Sequence, residues 1–264
     1  MRLLKMKKIV YLEVSGCFGS QLLALMCAEL LRKKGVSVWE DFSYFNTKNK
    51  APDGVYFCKL MHPLQNSFLF KLKSSIYFNA IFRRIARGPI FCKAFSVFSD
   101  KNELKISYIL KNINFLEGLY YYKYLLNLIS SQNILCKTKE EDCIVHIRRG
   151  DYKIANLNML SLECVKILIE KKFYKNDVFT ISDDMADIKQ IVSTYKWKDA
   201  SSDDFLKDLA FAALFKKIVL SQSQFSLIIL LLKFKNASIF IPSVWRPLIP
   251  FQELKKYDIF FHDC

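Results

Sequence analysis

Two adjacent arginines, Arg148 and Arg149, stand at the end of an apolar run in CIVHIRRGDY, residues 143–152. The apolar and β-branched residues before them predict a strand, and the Gly-Asp pair after them predicts a loop. Side chains alternate along a strand, so His146 and Arg148 point to one face and Arg149 to the other. Two cations at a strand's carboxyl end indicate an anion site, and a local ion pair with Asp151 is the structural alternative.

Two further predicted strands in the second half of the chain also end in polar loops. The strand DVFTIS runs into Asp183 and Asp184, and the strand KIVLS is followed by QSQFS at the start of an apolar helix. Parallel strands place their carboxyl ends at one edge of the sheet, so the three loops are expected to share a crevice. A cation, hydroxyls and a helix N-terminus suit a diphosphate, and a carboxylate suits the donor edge of a purine. The three loops predict a nucleotide pocket without a P-loop.

The elements around these loops alternate between strands and helices. From residue 143 onward the alternation predicts a parallel sheet covered on both faces. At the N-terminus, the strand KKIVYLEV, a glycine-containing turn, a helix ending at Gly35 and the strand VSVWED form a β-α-β opening. Helices are predicted around 68–87 and 118–131, in a middle region whose elements cannot be ordered.

Length and composition indicate a folded protein of two domains. The chain has 264 residues, of which 52% are hydrophobic and 25% charged. Its 40 basic and 25 acidic residues give a net charge of +15, which attracts polyanions such as nucleic acid, an anionic membrane surface or phosphorylated small molecules. We predict an α/β fold with an N-terminal domain over 1–140 and a nucleotide-binding domain over 141–264.

The cysteines and the apolar segments indicate in which cellular compartment the protein is expected. Eight cysteines, at 17, 27, 58, 92, 136, 143, 164 and 264, contain no C-x-x-C pair and no zinc spacing, and are predicted to be reduced core thiols. No signal peptide is indicated, so a cytoplasmic location is expected. The apolar run at 225–235 is about half of the roughly 20 residues that a membrane span requires and predicts a buried helix. Segment 68–98 is typical either of a membrane-surface helix or, the favoured interpretation, of a core helix with a basic face.

Several of these segments together resemble one enzyme family. HIRRGDY resembles the signature of glycosyltransferase family 11, the α-1,2-fucosyltransferases, and TISDD resembles its FSDD segment. SSDDFLKDLAFAALFKKIVLSQSQFS is similar to its acidic helix and following SNSTFSWW stretch, and GCFGSQLLALMCAELLRKKG to its GGLGNQ turn and first helix. FLEGLYYYKYL is a looser match to its GYWQ...KYF segment. The resemblance implies a GT-B-like fold with two Rossmann-type domains facing a cleft. It also implies transfer of L-fucose from GDP-β-L-fucose, with inversion, to the 2-hydroxyl of a galactoside.

The resemblance also implies roles for residues of the phosphate-binding part of the site. Arg148 would contact the donor's β-phosphate, while Arg149 would brace the loop or line the site. Ser223, the backbone of Phe225, and Ser226 would support the phosphates. Cations and N–H dipoles stabilise the departing diphosphate, and the chain has no D-x-D motif after a strand, so no metal is expected.

Other residues have a functional and a structural interpretation that the sequence leaves open. Asp183, and to a lesser extent Asp184, would bind guanine, or the acids would cap the following helix. His146 would touch the ribose or be a satisfied buried histidine. Asp151 would act as general base or anchor its turn.

The N-terminal glycine loop departs from the family pattern. Gly16, Gly19 and Gln21 would border the donor or acceptor, or form a structural turn, but one glycine and the asparagine of GGLGNQ are missing. The acceptor therefore stays open, and a surface glycan or lipid-linked oligosaccharide is expected. The net charge favours the anionic inner face of a membrane. The alternatives are a transferase for another nucleotide sugar, an inactive homologue, or a basic nucleic-acid-binding protein, although no nucleic-acid module is recognised.

Overall fold

The computed structural model describes residues 9–14, 18–42, 75, 79, 95–97, 102–134, 138–150, 159–173, 177–248 and 257–264. The chain divides into two compact units, Met1–Tyr124 and Leu125–Cys264. The division falls within a helix, whereas the sequence placed the domain boundary after residue 140. The predicted helix around 68–87 and the basic aromatic segment 68–98 lie almost entirely outside the described residues.

The first unit contains a three-stranded parallel sheet in the order β2-β1-β3. Its first three elements confirm the predicted β-α-β opening. A 3₁₀ helix at Ile113–Gly118 precedes the last helix, which crosses into the second unit. The elements are β1 (Ile9–Glu13), α1 (Phe18–Lys33), β2 (Ser37–Asp41), β3 (Phe95–Val97), α2 (Asn102–Lys111) and α3 (Tyr120–Ser130).

The end of α1 follows from one glycine. Gly35 has a φ of 76°, a left-handed conformation that residues with a Cβ rarely adopt. Its N–H donates to the carbonyl oxygen of Arg32 at 2.9 Å, and the N–H of Val36 donates to that of Leu31 at 3.0 Å. This Schellman pattern satisfies the last carbonyls of the helix and confirms the predicted stop.

The second unit contains a six-stranded parallel sheet in the order β6-β5-β4-β7-β8-β9. Counted from β4 as the first strand, this is the 3-2-1-4-5-6 order of the Rossmann fold, which confirms the predicted α/β class. All the strands are parallel, but successive strands are added on one side of β4 up to β6 and on its other side from β7 onward. The strand order therefore reverses between β4 and β7. The elements are β4 (Cys143–Ile147), α4 (Leu162–Lys172), β5 (Val178–Ser182), α5 (Met185–Tyr195), β6 (Lys198–Asp199), α6 (Phe205–Ala212), β7 (Lys217–Val219), α7 (Gln224–Lys233), β8 (Ser238–Pro242) and β9 (Ile259–His262).

Burial explains the sequence patterns of the central elements. All five residues of β4 are buried because helices cover both faces of the sheet. Val145 and Ile147 lie in a cluster with apolar side chains of α4 and α5. Residues 226–231 of α7 are all buried, which confirms the predicted core helix. Within the described part of the chain, no helix is both long and apolar enough to cross a bilayer.

Two cysteines correct the prediction of reduced thiols. Cys164 in the first turn of α4 and Cys264 form a disulfide, with their Cα atoms 5.2 Å apart. The sequence contained no sign of this pair because 100 residues separate its members. Cys27 and Cys143 are buried thiols outside any disulfide, as predicted. Burial raises the pKa of the Cys143 thiol, so this group stays protonated. The other four cysteines lie outside the described residues.

We expect Cys164→Ala to lower the free energy of unfolding in oxidising buffer by about 2 to 4 kcal/mol, because the disulfide closes a long loop. Denaturant titration with and without a reducing agent measures the effect. In the reducing buffer the variant and the wild type should unfold at similar denaturant concentrations. Equal stability of the two proteins in oxidising buffer would show that the disulfide does not stabilise the fold.

Candidate functional site

Three loops meet at the carboxyl edge of the second sheet, as their order along the chain predicts. The arginine loop is residues 148–150 after β4, the acid loop is Asp183 and Asp184 after β5, and the serine loop is residues 220–223 after β7. The arginine and serine loops flank the point where the strand order reverses. In open α/β sheets this is where a crevice forms and ligands bind.

An ion pair joins the arginine loop to the acid loop. The guanidinium Nη1 of Arg148 lies 3.1 Å from Asp183 Oδ2, and the backbone N–H of Arg149 donates to Asp183 Oδ1 at 2.8 Å. The side chains of Arg148 and Asp183 are 27% and 26% exposed, so both reach solvent at the edge of the sheet. The predicted ion-pair partner, Asp151, lies outside the described residues. Asp183 therefore holds the arginine loop in place and orients the guanidinium of Arg148.

Gly150 permits this arrangement through its missing side chain. A Cβ built on Gly150 would overlap with Asp183 Oδ2 and lie 3.2 Å from Asp183 Cγ. Any other residue at this position would displace the carboxylate from the arginines. The glycine that the sequence marked as a loop signal thus also makes room for the ion pair.

We expect Gly150→Ala to lower the free energy of unfolding by about 1 to 3 kcal/mol, the usual cost of overpacking. The new methyl group must push the Asp183 carboxylate away from Arg148. Gly118→Ala is a matched control, because its Cβ would meet the flexible end of Lys33 at 3.2 Å. Denaturant unfolding compares the two variants, and equal stabilities would contradict the proposed overlap.

A buried histidine ties β4 to the serine loop. His146 Nδ1 lies 2.7 Å from Ser226 Oγ and 2.9 Å from Ser221 Oγ, and the backbone N–H of Arg148 donates to Ser221 Oγ at 3.2 Å. The His146 ring also packs on Phe225, with ring centroids 4.9 Å apart. These contacts connect the ends of β4 and β7, the two strands between which the strand order reverses. They show a buried, hydrogen-bonded histidine, and contact with a ribose stays a prediction.

His146 is neutral at physiological pH. Its burial lowers its pKa to about 3, and the nearby charge of Arg148 acts in the same direction. The histidine therefore adds no positive charge to the site. The positive charge in the arginine loop comes from the guanidinium groups.

This pKa predicts acid sensitivity. In the unfolded chain His146 should titrate near the ordinary value of 6.5, so below that pH the unfolded state binds more protons than the native state. The contribution of neutral His146 to the free energy of unfolding is complete above the pKa of the unfolded state, and it is lost as the pH falls toward the native pKa of about 3. Between about pH 7.5 and about pH 5, we expect wild-type stability to fall by roughly 2 kcal/mol more than that of His146→Gln. Urea titrations at both pH values measure the difference, and parallel losses in both proteins would contradict the prediction.

The serine loop delivers the N-terminus of α7 to the same crevice. Ser223 is the N-cap residue, and its hydroxyl accepts from the N–H of Ser226 at 3.0 Å and contacts Ser226 Oγ at 3.2 Å. The first N–H groups of a helix, such as that of Phe225, have no partner within the helix, and the helix dipole makes this end positive. Because Ser221 accepts from the backbone N–H of Arg148, the arginine loop lies next to the loop that leads into α7. This combination suits a phosphate group.

The remaining predicted site residues have different surroundings. Asp184 Oδ1 accepts from the N–H of Ala186 at 3.2 Å at the start of α5, which is the capping arrangement considered from the sequence. Gly19 and Gln21 are buried within α1, which begins at Phe18, so the structural turn predicted at these two residues is wrong. Gly16 lies outside the described residues.

Two features of the site were not identified from the sequence. Ser221 links the Arg148 backbone to His146, yet the sequence marked it only as the last residue of the predicted strand KIVLS. The roles of Gly150 and Asp183 depend on the approach of two loops from different strands. In the described ranges, no three His, Cys, Asp or Glu side chains are grouped so that they could hold a metal ion.

Comparisons with known proteins return structural neighbours alone. No protein-family model matches the chain, and no curated protein is similar to it in sequence. The crystal structure of NodZ α-1,6-fucosyltransferase soaked with GDP-fucose has 13% identity and a TM-score of 0.42, over 86% of this chain and 92% of that chain. Fucosyltransferase NodZ from Bradyrhizobium, as the selenomethionine protein, has 13% identity and a TM-score of 0.43, over 88% and 94%. UDP-GlcNAc 2-epimerase from Methanocaldococcus jannaschii has 12% identity and a TM-score of 0.34, over 97% and 66%. These identities and TM-scores are too low to assign a function to the chain.

Proposed function

We propose that the chain is an inverting glycosyltransferase that moves L-fucose from GDP-β-L-fucose to a sugar hydroxyl. One observation carries the proposal: Arg148, at the carboxyl end of β4, shares the point of chain reversal with the N-terminus of α7. The resemblance of HIRRGDY to the α-1,2-fucosyltransferase signature supports the choice of donor. The 2-hydroxyl of a galactoside, within a surface glycan or a lipid-linked oligosaccharide, is the proposed acceptor.

The chemistry of the transfer requires a site that stabilises a departing diphosphate. As the bond from the anomeric carbon to the phosphate oxygen breaks, negative charge builds up on GDP. The Arg148 guanidinium, the hydroxyl of Ser223 and the first N–H groups of α7, including that of Phe225, would stabilise this charge. Ser226 would support the serine loop. With these groups present, the proposed reaction needs no metal ion.

The proposed role of Asp183 follows from its position, and that of Asp151 follows from the family resemblance. Asp183 would hold Arg148 toward the β-phosphate and could also accept from guanine. Asp151 is the proposed general base. A net charge of +15 supports a peripheral location at the anionic cytoplasmic face of a membrane.

Donor turnover tests the proposal. Purified protein is incubated with GDP-fucose, GDP-mannose or a UDP-sugar, together with galactosides such as lactose, and nucleotide release and glycan mass are followed. We expect GDP release and a fucosylated product with GDP-fucose, with and without EDTA. NMR of the product assigns the linkage.

Each alternative has a distinct outcome in the same assay. Turnover of another nucleotide sugar, but not of GDP-fucose, would show that the donor is a different one. GDP binding without turnover of any donor would identify an inactive homologue. Salt-dependent binding of DNA or RNA, without GDP binding, would indicate the nucleic-acid alternative instead. A fucosylated product linked at another hydroxyl would support the proposed fucosyl transfer and contradict the proposed 2-hydroxyl linkage.

A further inference from the structure

A cavity of about 370 Å³ lies at the carboxyl ends of β8 and β9, beside the serine loop. It is at the lower end of the range of small-molecule sites, roughly 300 to 1,000 Å³, and has room for a group the size of one sugar ring. Its wall includes Pro242 and His262, which are paired across the two strands. Met159 and Leu160, both contacted by the guanidinium of Arg149, form another part. The cavity therefore adjoins the arginine loop.

His262 brings an acceptor to this cavity. The residue is 5% exposed, and its Nε2 lies 3.0 Å from the carbonyl oxygen of Leu220. A carbonyl oxygen only accepts, so Nε2 carries the hydrogen and Nδ1 presents a lone pair when the ring is neutral. Burial lowers the pKa of His262, which favours that neutral form. Nδ1 is buried and has no hydrogen-bond partner among the described residues.

A second polar atom in the cavity wall is also unsatisfied. The hydroxyl oxygen of Ser243 is buried and lacks a partner within the described part of the chain. Buried polar atoms are normally hydrogen-bonded, so two such atoms in one cavity point to a ligand that completes them. The ligand must offer a hydrogen to Nδ1 and can either offer or accept one at the serine.

The charge of the lining restricts the class of ligand. Asp263 is the charged residue of the lining, and no arginine or lysine is among the lining residues described, so an anion such as phosphate is disfavoured. Apolar walls such as Leu160 and Val244 alternate with the polar atoms. Neutral sugars have both hydroxyl donors and apolar C–H faces. Gln222, which lies between the site residues Ser221 and Ser223, lines the cavity and connects it to the proposed phosphate site.

We propose that this cavity holds an uncharged sugar ring, with one hydroxyl donating to His262 Nδ1 and another bonded to Ser243 Oγ. The assignment rests on the proposed function, in which the ring belongs either to the sugar of the nucleotide donor or to the glycan acceptor. The Cys164–Cys264 disulfide and the bond from the Ser161 N–H to the Cys264 carbonyl oxygen, at 2.8 Å, fasten the C-terminal wall. A wall fixed in this way favours binding because little ordering is needed.

Two substitutions of one residue separate the acceptor from the rest of the histidine. In His262→Gln the amide N–H₂ can keep the bond to Leu220, while the acceptor at Nδ1 is lost. In His262→Asn the amide oxygen can replace Nδ1, while the bond to Leu220 is lost. Ser243→Ala removes the second contact, and the exposed Lys172→Ala serves as the control.

The affinities for GDP and GDP-fucose and the KM for the galactoside identify which sugar is bound. If the cavity holds the donor sugar, His262→Gln should bind GDP-fucose about tenfold more weakly and GDP with unchanged affinity. If it holds the acceptor sugar, the KM for the acceptor should rise about tenfold, while the affinities for GDP and GDP-fucose stay unchanged. His262→Asn should restore much of either loss. Thermal unfolding of each variant shows whether the fold is retained.

A titration without nucleotide tests the cavity independently of the transfer reaction. The chain has three histidines, so the ring signals of His262 can be assigned in NMR spectra by substitution. We expect them to shift saturably when L-fucose or methyl β-galactoside is added to the wild type. If wild-type protein binds neither GDP nor GDP-fucose, the proposed function fails and this titration alone decides the cavity. The absence of any shift, with unchanged GDP-fucose affinity and acceptor KM in folded His262→Gln and Ser243→Ala, would overturn the inference.

Discussion

Arg148→Ala should reduce kcat/KM for transfer from GDP-fucose by about 100- to 1,000-fold, the usual effect of removing one preorganised group that stabilises transition-state charge. Arg148 lies at the carboxyl end of β4, and its backbone N–H donates to Ser221, shortly before the start of α7. Without the guanidinium the departing diphosphate would retain the N–H groups of the helix and lose the cation. Steady-state kinetics with a galactoside acceptor measure the loss.

Two further variants define the cause of that loss. Arg148→Lys keeps the charge but not the planar pair of donors, and should recover only part of the activity. Lys172→Ala removes a charge from the exposed last turn of α4, away from the three loops, and should leave kcat/KM within about twofold of the wild type, because exposed charges remote from a site contribute little. Turnover of Arg148→Ala at the wild-type rate would remove this residue from the mechanism.

Asp183→Asn should weaken GDP binding by about tenfold or more through its effect on Arg148. The carboxylate accepts from the Arg148 guanidinium and from the Arg149 backbone, and the neutral amide cannot hold both donors in the same way. A double-mutant cycle with Arg148→Ala tests this dependence. If Asp183 acts by positioning Arg148, Asp183→Asn should cost little further affinity in the Arg148→Ala background.

A guanine-binding role for Asp183 predicts a different result from the same cycle. The effect of Asp183→Asn would then persist without Arg148, and the preference for GDP over ADP would fall. Binding of inorganic pyrophosphate, which has no base, separates the roles further. The positioning role predicts that Asp183→Asn weakens pyrophosphate binding, and unchanged pyrophosphate binding would contradict it.

Periodicity and the positions of glycines were enough to predict the elements with strong local signals. The β-α-β opening, the stop at Gly35, the buried α7 and the strands β4, β5 and β7 each have an apolar pattern that matches their burial. The two edge strands of the second sheet were not predicted. β6 contains two exposed residues, and β9 alternates in burial only weakly, so both depend on pairing with a neighbouring strand.

The candidate site was predictable as three converging loops but not as a set of contacts. Strand alternation placed His146 and Arg148 on one face and Arg149 on the other. In the structure His146 contacts Ser226, the Arg148 guanidinium contacts Asp183 and the Arg149 guanidinium contacts Met159. The contact between Gly150 and Asp183 joins loops from two strands, and spacing along the chain contains no information about that approach. The disulfide and the cavity at His262 were missed for the same reason, because the C-terminal segment reaches them only through the fold.

A crystal structure of the protein with GDP tests the central claim most directly. We predict the β-phosphate about 3 Å from the Arg148 guanidinium and from N–H groups in the first turn of α7, with the Ser223 hydroxyl beside it. Phosphates bound at another part of the sheet edge, with Arg148 directed away from them, would contradict the account.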